Sequence, residues 1–209
     1  KVKIKKGKDV NVVSVIRSAF PDINLTVDAN GSYKDEDIGT LKMLDKFGLS
    51  MIEQPFGTDE FLEHSQLQAK LDTPLCLDES VKDVHMAVIA SSLKSCRVIC
   101  IKQGRVGGIV RSLVLKDFCI RNGLKVWCGG MLDTGIGRSF NIHLQTVDGF
   151  EFPGDTSETS RYFKEDIVKE PVILDNDGYI NVSEREGSGS EIDQDKLDKF
   201  MIFKEIMKR

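Results

Sequence analysis

The sequence predicts an α/β protein of repeated strand–helix units that close into a parallel (β/α) barrel. Three observations predict it. Charged residues recur at a near-constant interval: Lys3, Asp28, Glu53 and Asp78 stand 25 residues apart, and Lys102 follows 24 later. Each closes a short apolar run, such as Leu25-Thr26-Val27 before Asp28 or Val98-Ile99-Cys100-Ile101 before Lys102. The stretches between these runs carry helical periodicity. In a parallel barrel the C-terminal ends of the strands share one mouth, so the five charged groups are expected to converge there.

The elements follow in order. Lys1 to Lys5 reads as a strand, with Lys1, Lys3 and Lys5 on one face and Val2 and Ile4 on the other. Asp9 can cap a helix through Phe20, with Val10, Val13, Ile16 and Phe20 apolar, and Pro21 stops it. Leu25 to Asp28 is the next strand, and Asp35 to Phe47 the next helix, ended by Gly48. Met51-Ile52-Glu53 must stop as a strand near Pro55, which cannot join a central ladder. A helix from Asp59 to Leu71 leads to the strand Leu75-Cys76-Leu77-Asp78, and another helix runs through Leu93.

Val98 to Ile101 is continuously apolar, as a strand buried on both faces should be. Gly104 to Gly108 is a Gly-rich turn, and without a P-loop or G-x-G-x-x-G pattern it reads as tight strand–helix packing. A helix over Ile109–Asn122 leads to the strand Lys125–Cys128. Gly129 to Gly137 holds four glycines in nine residues, enough to let a ligand approach the backbone. Arg138 to Val147 reads as helix, and Phe150-Glu151-Phe152 as a last strand. The rhythm ends at Asp155, which sets the expected division: a catalytic barrel over 1–155 and a C-terminal segment over 156–209. That segment predicts a hairpin over 172–182 around Asn176-Asp177-Gly178, and a closing helix from Lys196 to Lys208.

Composition excludes several classes. The 209 residues are 40% hydrophobic and 30% charged with a net charge of −4, enough for one sizeable core. No basic block suggests nucleic acid, and no apolar run is long enough for a membrane helix. The five cysteines (76, 96, 100, 119 and 128) form no C-x-x-C, so buried free thiols in a reducing cytoplasm are expected. The three histidines (64, 85 and 143) lie in helix-like stretches away from the charged positions, which argues against a zinc site.

Three carboxylates meeting at a barrel mouth repel one another unless a cation sits among them. Oxygen ligands suit Mg²⁺, with Mn²⁺ as a substitute. Lys3 and Lys102 would face each other across that cation. A lysine beside a cation and a second lysine is expected to have a lowered pKa and to act as a base. The reaction class is proton abstraction next to a carboxylate, so the expected partner is a small carboxylate substrate.

With these residues in place, the chain resembles the enolase superfamily in its branch with a lysine on either side of the metal. Within that branch it is similar to the o-succinylbenzoate synthases and N-succinylamino acid racemases. The resemblance rests on Lys1-Val2-Lys3, Val27-Asp28-Ala29-Asn30, Met51-Ile52-Glu53-Gln54-Pro55, Cys76-Leu77-Asp78-Glu79-Ser80, Ile101-Lys102 through Gly108, Trp127 through Leu132, and Pro153-Gly154-Asp155. It implies a (β/α)7β barrel, with Asp28, Glu53 and Asp78 on Mg²⁺ and Lys3 and Lys102 as the catalytic pair. It also implies that Lys1, Asn30, Gly130, Met131 and Leu132 contact substrate. The implied activity is dehydration of a cyclohexadiene carboxylate to o-succinylbenzoate, or alternatively racemisation of N-succinylamino acids, in a homo-oligomer at full length.

Two departures stand out. Cys100 occupies the position two before the second lysine, where the family usually carries Asn. The family's N-terminal capping domain and first barrel strand have no counterpart here, and the chain opens at Lys1 inside a strand, so a piece of a longer polypeptide is expected.

Overall fold

A computed structural model describes residues 1–206. Six strands form one parallel sheet in chain order: β1 (Val2–Lys3), β2 (Thr26–Asp28), β3 (Met51–Glu53), β4 (Leu75–Leu77), β5 (Val98–Ile101) and β6 (Lys125–Cys128). Helices α1 (Val10–Ala19), α2 (Ile38–Leu44), α3 (Phe61–Gln68), α4 (Val84–Leu93), α5 (Gln103–Val106) and α6 (Ile109–Arg121) fall between them. This is the expected α/β alternation, and neighbouring strands are consecutive in sequence, as a barrel requires.

The helix boundaries have local causes. Asp9 caps α1 by accepting from the Val10 N–H at 2.6 Å and the Gly7 N–H at 3.2 Å. Asp83 caps α4 through the Met86 N–H at 3.0 Å. Gly48, at φ 58°, takes the left-handed conformation that ends the α2 segment. Gly107 ends α5 at φ 93°, and Gly108 opens α6 at φ 100°, so this turn serves the tight strand-to-helix connection.

The register of the sheet positions the site. Lys3 pairs with Asp28, and Asp28 with Glu53, so these three stand level. Glu53 then pairs with Cys76, two residues before Asp78. Cys76 pairs with Val98, which brings Cys100 level with Asp78. Each two-residue step is the stagger by which tilted strands close a barrel, and it keeps every alternate side chain on the same face. The inward residues below the charged rim form one buried cluster: Met51, Cys76, Val98, Cys100 and Trp127, with Phe152 packed against it.

The chain divides into two compact units. One comprises Lys1–Cys128 with Gly149–Pro153; the other comprises Gly129–Asp148 with the residues from Gly154 onward. The sequence rhythm had grouped 1–155 together, whereas here Gly129–Asp148 joins the later residues. The second unit holds α7 (Gly135–Gln145) and α8 (Gln194–Phe200).

Three expected elements come out differently. The last strand, at Phe150 to Phe152, is reduced to one parallel bridge from Phe150 to Val126, with the Glu151 N–H on the Val126 carbonyl at 3.1 Å. The hairpin over 172–182 keeps its turn, with the Asp175 N–H on the Tyr179 carbonyl at 2.8 Å, but forms no ladder. Ile173 and Tyr179 are exposed there, and two strands with no buried face do not hold a ladder. The closing helix ends at Phe200. Ile202, Phe203 and Ile206 beyond it are exposed, so no packing rewards further turns. Lys208, its expected end, lies outside the described residues.

Candidate active site and metal centre

Asp28 ends β2 and Glu53 ends β3, while Asp78 directly follows β4 and Lys102 directly follows β5. The three carboxylates are buried, at 1%, 0% and 0% exposure. The lysines differ: the Lys3 side chain is 64% exposed and that of Lys102 only 12%. The structure thus brings all five expected groups to one end of the sheet.

The cluster is knit by ion pairs. Lys3 Nζ lies 2.6 Å from Asp28 Oδ2 and donates to Asn30 Oδ1 at 2.6 Å. Asn30 reaches on through Nδ2 to Glu79 Oε1 at 2.9 Å. Lys102 Nζ donates to Asp78 Oδ2 at 2.7 Å. Lys1 enters the cluster itself, with Nζ 2.9 Å from Glu53 Oε2, 3.1 Å from Asp28 Oδ2 and 4.8 Å from the centre of the Trp127 ring. Arg105 donates through Nη1 to Asp78 Oδ1. Sequence reasoning missed Arg105. The available signal was its position three after Lys102, one turn into a helix that starts at the strand end.

Burial sets the electrostatics. The Glu53 carboxyl is pushed up to about 8, mainly because it is buried, with Lys1 opposing the rise and Asp28 and Asp78 adding to it. Asp78 is held below its ordinary value: burial works against this, and Lys102 and Arg105 outweigh it. The expected lowering applies beside a bound cation; without one, Lys102 stands above its ordinary value. Burial does pull it down, but Cys100 and the Asp78 carboxylate prevail and hold it above its ordinary value.

Glu53, Asp78 and Cys100 form a compact group, each offering a ligand atom within 4.8 Å of the other two. Asp28 stands beside this group, in register with Glu53 and held by Lys1 and Lys3. Glu53 Oε2 is buried and accepts no hydrogen bond, although the Lys1 ammonium lies 2.9 Å away as an ion pair. A buried carboxylate oxygen that makes no hydrogen bond and touches an ammonium, inside a set of further anionic groups, marks a place that favours positive charge.

The other expected substrate contacts divide between the two units. Asn30 takes φ 43° and is fixed between Lys3 and Glu79. Gly130, Met131 and Leu132 belong to the second unit. The Gly130 N–H donates to Asp155 Oδ1 at 2.5 Å, and Met131 and Leu132 are exposed. The glycines of this loop are pressed by the chain itself. A Cβ on Gly135 would come within 2.3 Å of Val168, and one on Gly137 within 2.8 Å of Asp133. Their smallness serves internal packing at those two positions.

The chain belongs to the family described as enolase C-terminal domain-like, which it matches over residues 1–196. The proteins it is similar to narrow the comparison. It is 47% identical to an o-succinylbenzoate synthase of Bacillus subtilis over 96% of this chain and 54% of that protein. It is 44% identical to an N-succinylamino acid racemase of Thermus thermophilus over 90% of this chain and 51% of that protein. A solved member of the enolase superfamily from Enterococcus faecalis superposes with a TM-score of 0.90 at 46% identity, covering 94% of this chain and 53% of that one. The chain spans about half the length of these relatives. No helix among the described residues is long and apolar enough to cross a membrane.

Proposed function

We propose that this chain carries the catalytic site of an o-succinylbenzoate synthase, which dehydrates 2-succinyl-6-hydroxy-2,4-cyclohexadiene-1-carboxylate to 2-succinylbenzoate in menaquinone biosynthesis. The observation that carries the reading is the placing of Lys3 and Lys102 at separate strand ends beside three buried carboxylates. Asp28, Glu53 and Asp78 would hold Mg²⁺, with Mn²⁺ as a substitute, and the cation would supply positive charge to the substrate carboxylate as the α-proton leaves.

The chain's own residues account for the rest. Lys3 is exposed enough to meet substrate and would take the proton from the ring carbon bearing the carboxylate. The electron pair of that C–H bond moves into the carboxylate to give an enediolate, and its return forms the new ring double bond as the neighbouring C–O bond breaks. Hydroxide leaves and takes the proton back from Lys3 as water, which places both groups on one face of the ring, a syn elimination. Lys102, kept charged by Asp78, would act as a fixed cation toward the enediolate. Gly130, Met131 and Leu132 are proposed to contact the succinyl group.

A second reading, N-succinylamino acid racemase, is favoured by the similarity to the Thermus thermophilus protein. It requires Lys102 to exchange its proton with substrate. The test follows dehydration of the cyclohexadiene by the protein with Mg²⁺ and then with EDTA. Fast turnover that EDTA abolishes is expected. No dehydration by folded, Mg²⁺-loaded protein would sink the synthase reading, and α-proton exchange on N-succinylamino acids would then decide for the racemase.

A further inference from the structure

The compact group of possible ligands is not made of oxygens alone. Cys100 lies on β5, level with Asp78 because Cys76 pairs with Val98 in the ladder, and its side chain shares the inward face. Its sulfur lies within 4.8 Å of a carboxylate oxygen of Glu53 and of Asp78. All three residues are fully buried, at 0% exposure. Beside them Glu53 Oε2 is buried and makes no hydrogen bond, with the Lys1 ammonium 2.9 Å away. A small apolar residue would serve packing equally well at this point of the strand. A thiol beside two carboxylates adds something different, a soft donor in a set that is otherwise hard.

We propose that Cys100 is a sulfur ligand of this centre, so that Glu53, Asp78 and Cys100 together bind a thiophilic divalent cation such as Co²⁺, Zn²⁺ or Cd²⁺ in competition with Mg²⁺. The proposal deepens the metal-site reading above and rests on it. As the metal–sulfur bond forms, the Cys100 thiol gives up its proton to solvent, so one proton is released and no oxidant is needed. Mg²⁺ gains nothing from the sulfur and keeps to oxygen. Cys76 is the nearest rival thiol, one strand over. Its sulfur is already engaged, accepting from Trp127 Nε1 at 3.2 Å, and the compact ligand group does not include it.

The test uses the full chain, stripped of metal and titrated with Co²⁺, with Cd²⁺ and with Mg²⁺. Wild-type protein should develop a near-ultraviolet sulfur-to-cobalt charge-transfer band, which Cys100→Ser should lack. Cadmium should bind Cys100→Ser at least about tenfold more weakly, since even changes outside the ligand set cost that much. Mg²⁺ affinity should be unchanged. Cys100→Asn provides a second replacement, and Cys76→Ser should keep the band. Mg²⁺ binding by wild type with no cobalt–sulfur band overturns this proposal alone. So does equal cadmium affinity in wild type and Cys100→Ser, or a band lost in Cys76→Ser rather than in Cys100→Ser. If the folded wild-type chain binds neither Mg²⁺ nor Cd²⁺, this proposal and the metal-site reading fall together.

Discussion

Gln54 Oε1 accepts the backbone N–H of Asp78 at 2.9 Å, so the residue after one carboxylate sets the position of the next. The same oxygen lies 3.3 Å from the Ser80 N–H, and Gln54 Nε2 donates to Ser80 Oγ at 2.8 Å and to the Phe56 carbonyl at 3.0 Å. Gln54 is 1% exposed and takes φ 39°, which turns its side chain toward the β4 end at once. Gln54→Leu leaves two buried N–H groups without an acceptor. At about 1–3 kcal/mol each, stability should drop by roughly 2–6 kcal/mol. Urea unfolding checks this, and a midpoint within error of wild type would refute it. Mg²⁺ affinity should fall as well, because Asp78 loses its anchor.

Lys3 and Lys102 should fail differently. Lys3→Ala removes the proposed base, for a loss of about 10²–10⁴ in kcat. Lys102→Ala removes a fixed cation and leaves Asp78 with Arg105 as its remaining partner. It should lower kcat in dehydration less if Lys102 only stabilises charge, and abolish racemisation completely, because one face of the substrate then has no acid. Steady-state rates for both substrates separate the two roles.

Glu53 links the site to pH. Its folded carboxyl is pushed up to about 8, against 4.5 for a free one, chiefly by burial. Between these values the native state holds a proton that the unfolded state has released. The stability of metal-free protein should therefore fall as pH rises across that window. Mg²⁺ should offset the loss most strongly at its upper end. Thermal unfolding from pH 5 to 8.5, with and without Mg²⁺, measures the slope, which Glu53→Gln should flatten.

His64 has the opposite sign. It is buried in α3, with Nδ1 2.6 Å from the Glu60 carbonyl and the Phe56 N–H donating to Nε2 at 3.3 Å. That pairing needs the neutral ring. Burial lowers its pKa below 6.5, against the pull of the Glu60 carbonyl. The unfolded state takes up a proton first, so stability should drop as pH falls below 6.5. His64→Gln should show a shallower acid limb in the same unfolding series.

Much of this was legible in residue order. The β2 to β6 positions follow from apolar runs of strand length. The helix starts at Asp9 and Asp83 and the stop at Gly48 follow from cap chemistry, which acts within a few residues. The last strand, the hairpin and the end of α8 were not legible, because each depends on whether a neighbour covers an apolar face. Tyr179 and Phe203 look like core residues in a list and are exposed in space.

Sequence alone therefore settled which groups stand at the strand ends: Lys3, Asp28, Glu53, Asp78 and Lys102. The strand period of two and the 25-residue spacing are properties of the chain. The tertiary structure decided what those groups touch. It set Arg105 on Asp78, drew Lys1 onto Glu53 and placed Lys102 against Asp78. It also set the Cys100 sulfur within 4.8 Å of two carboxylates. The reason is the stagger between strands. Register is chosen by how neighbouring strands pair, and a two-residue step at β3–β4 and again at β4–β5 determines which side chains stand level across strands 24 or 25 residues apart.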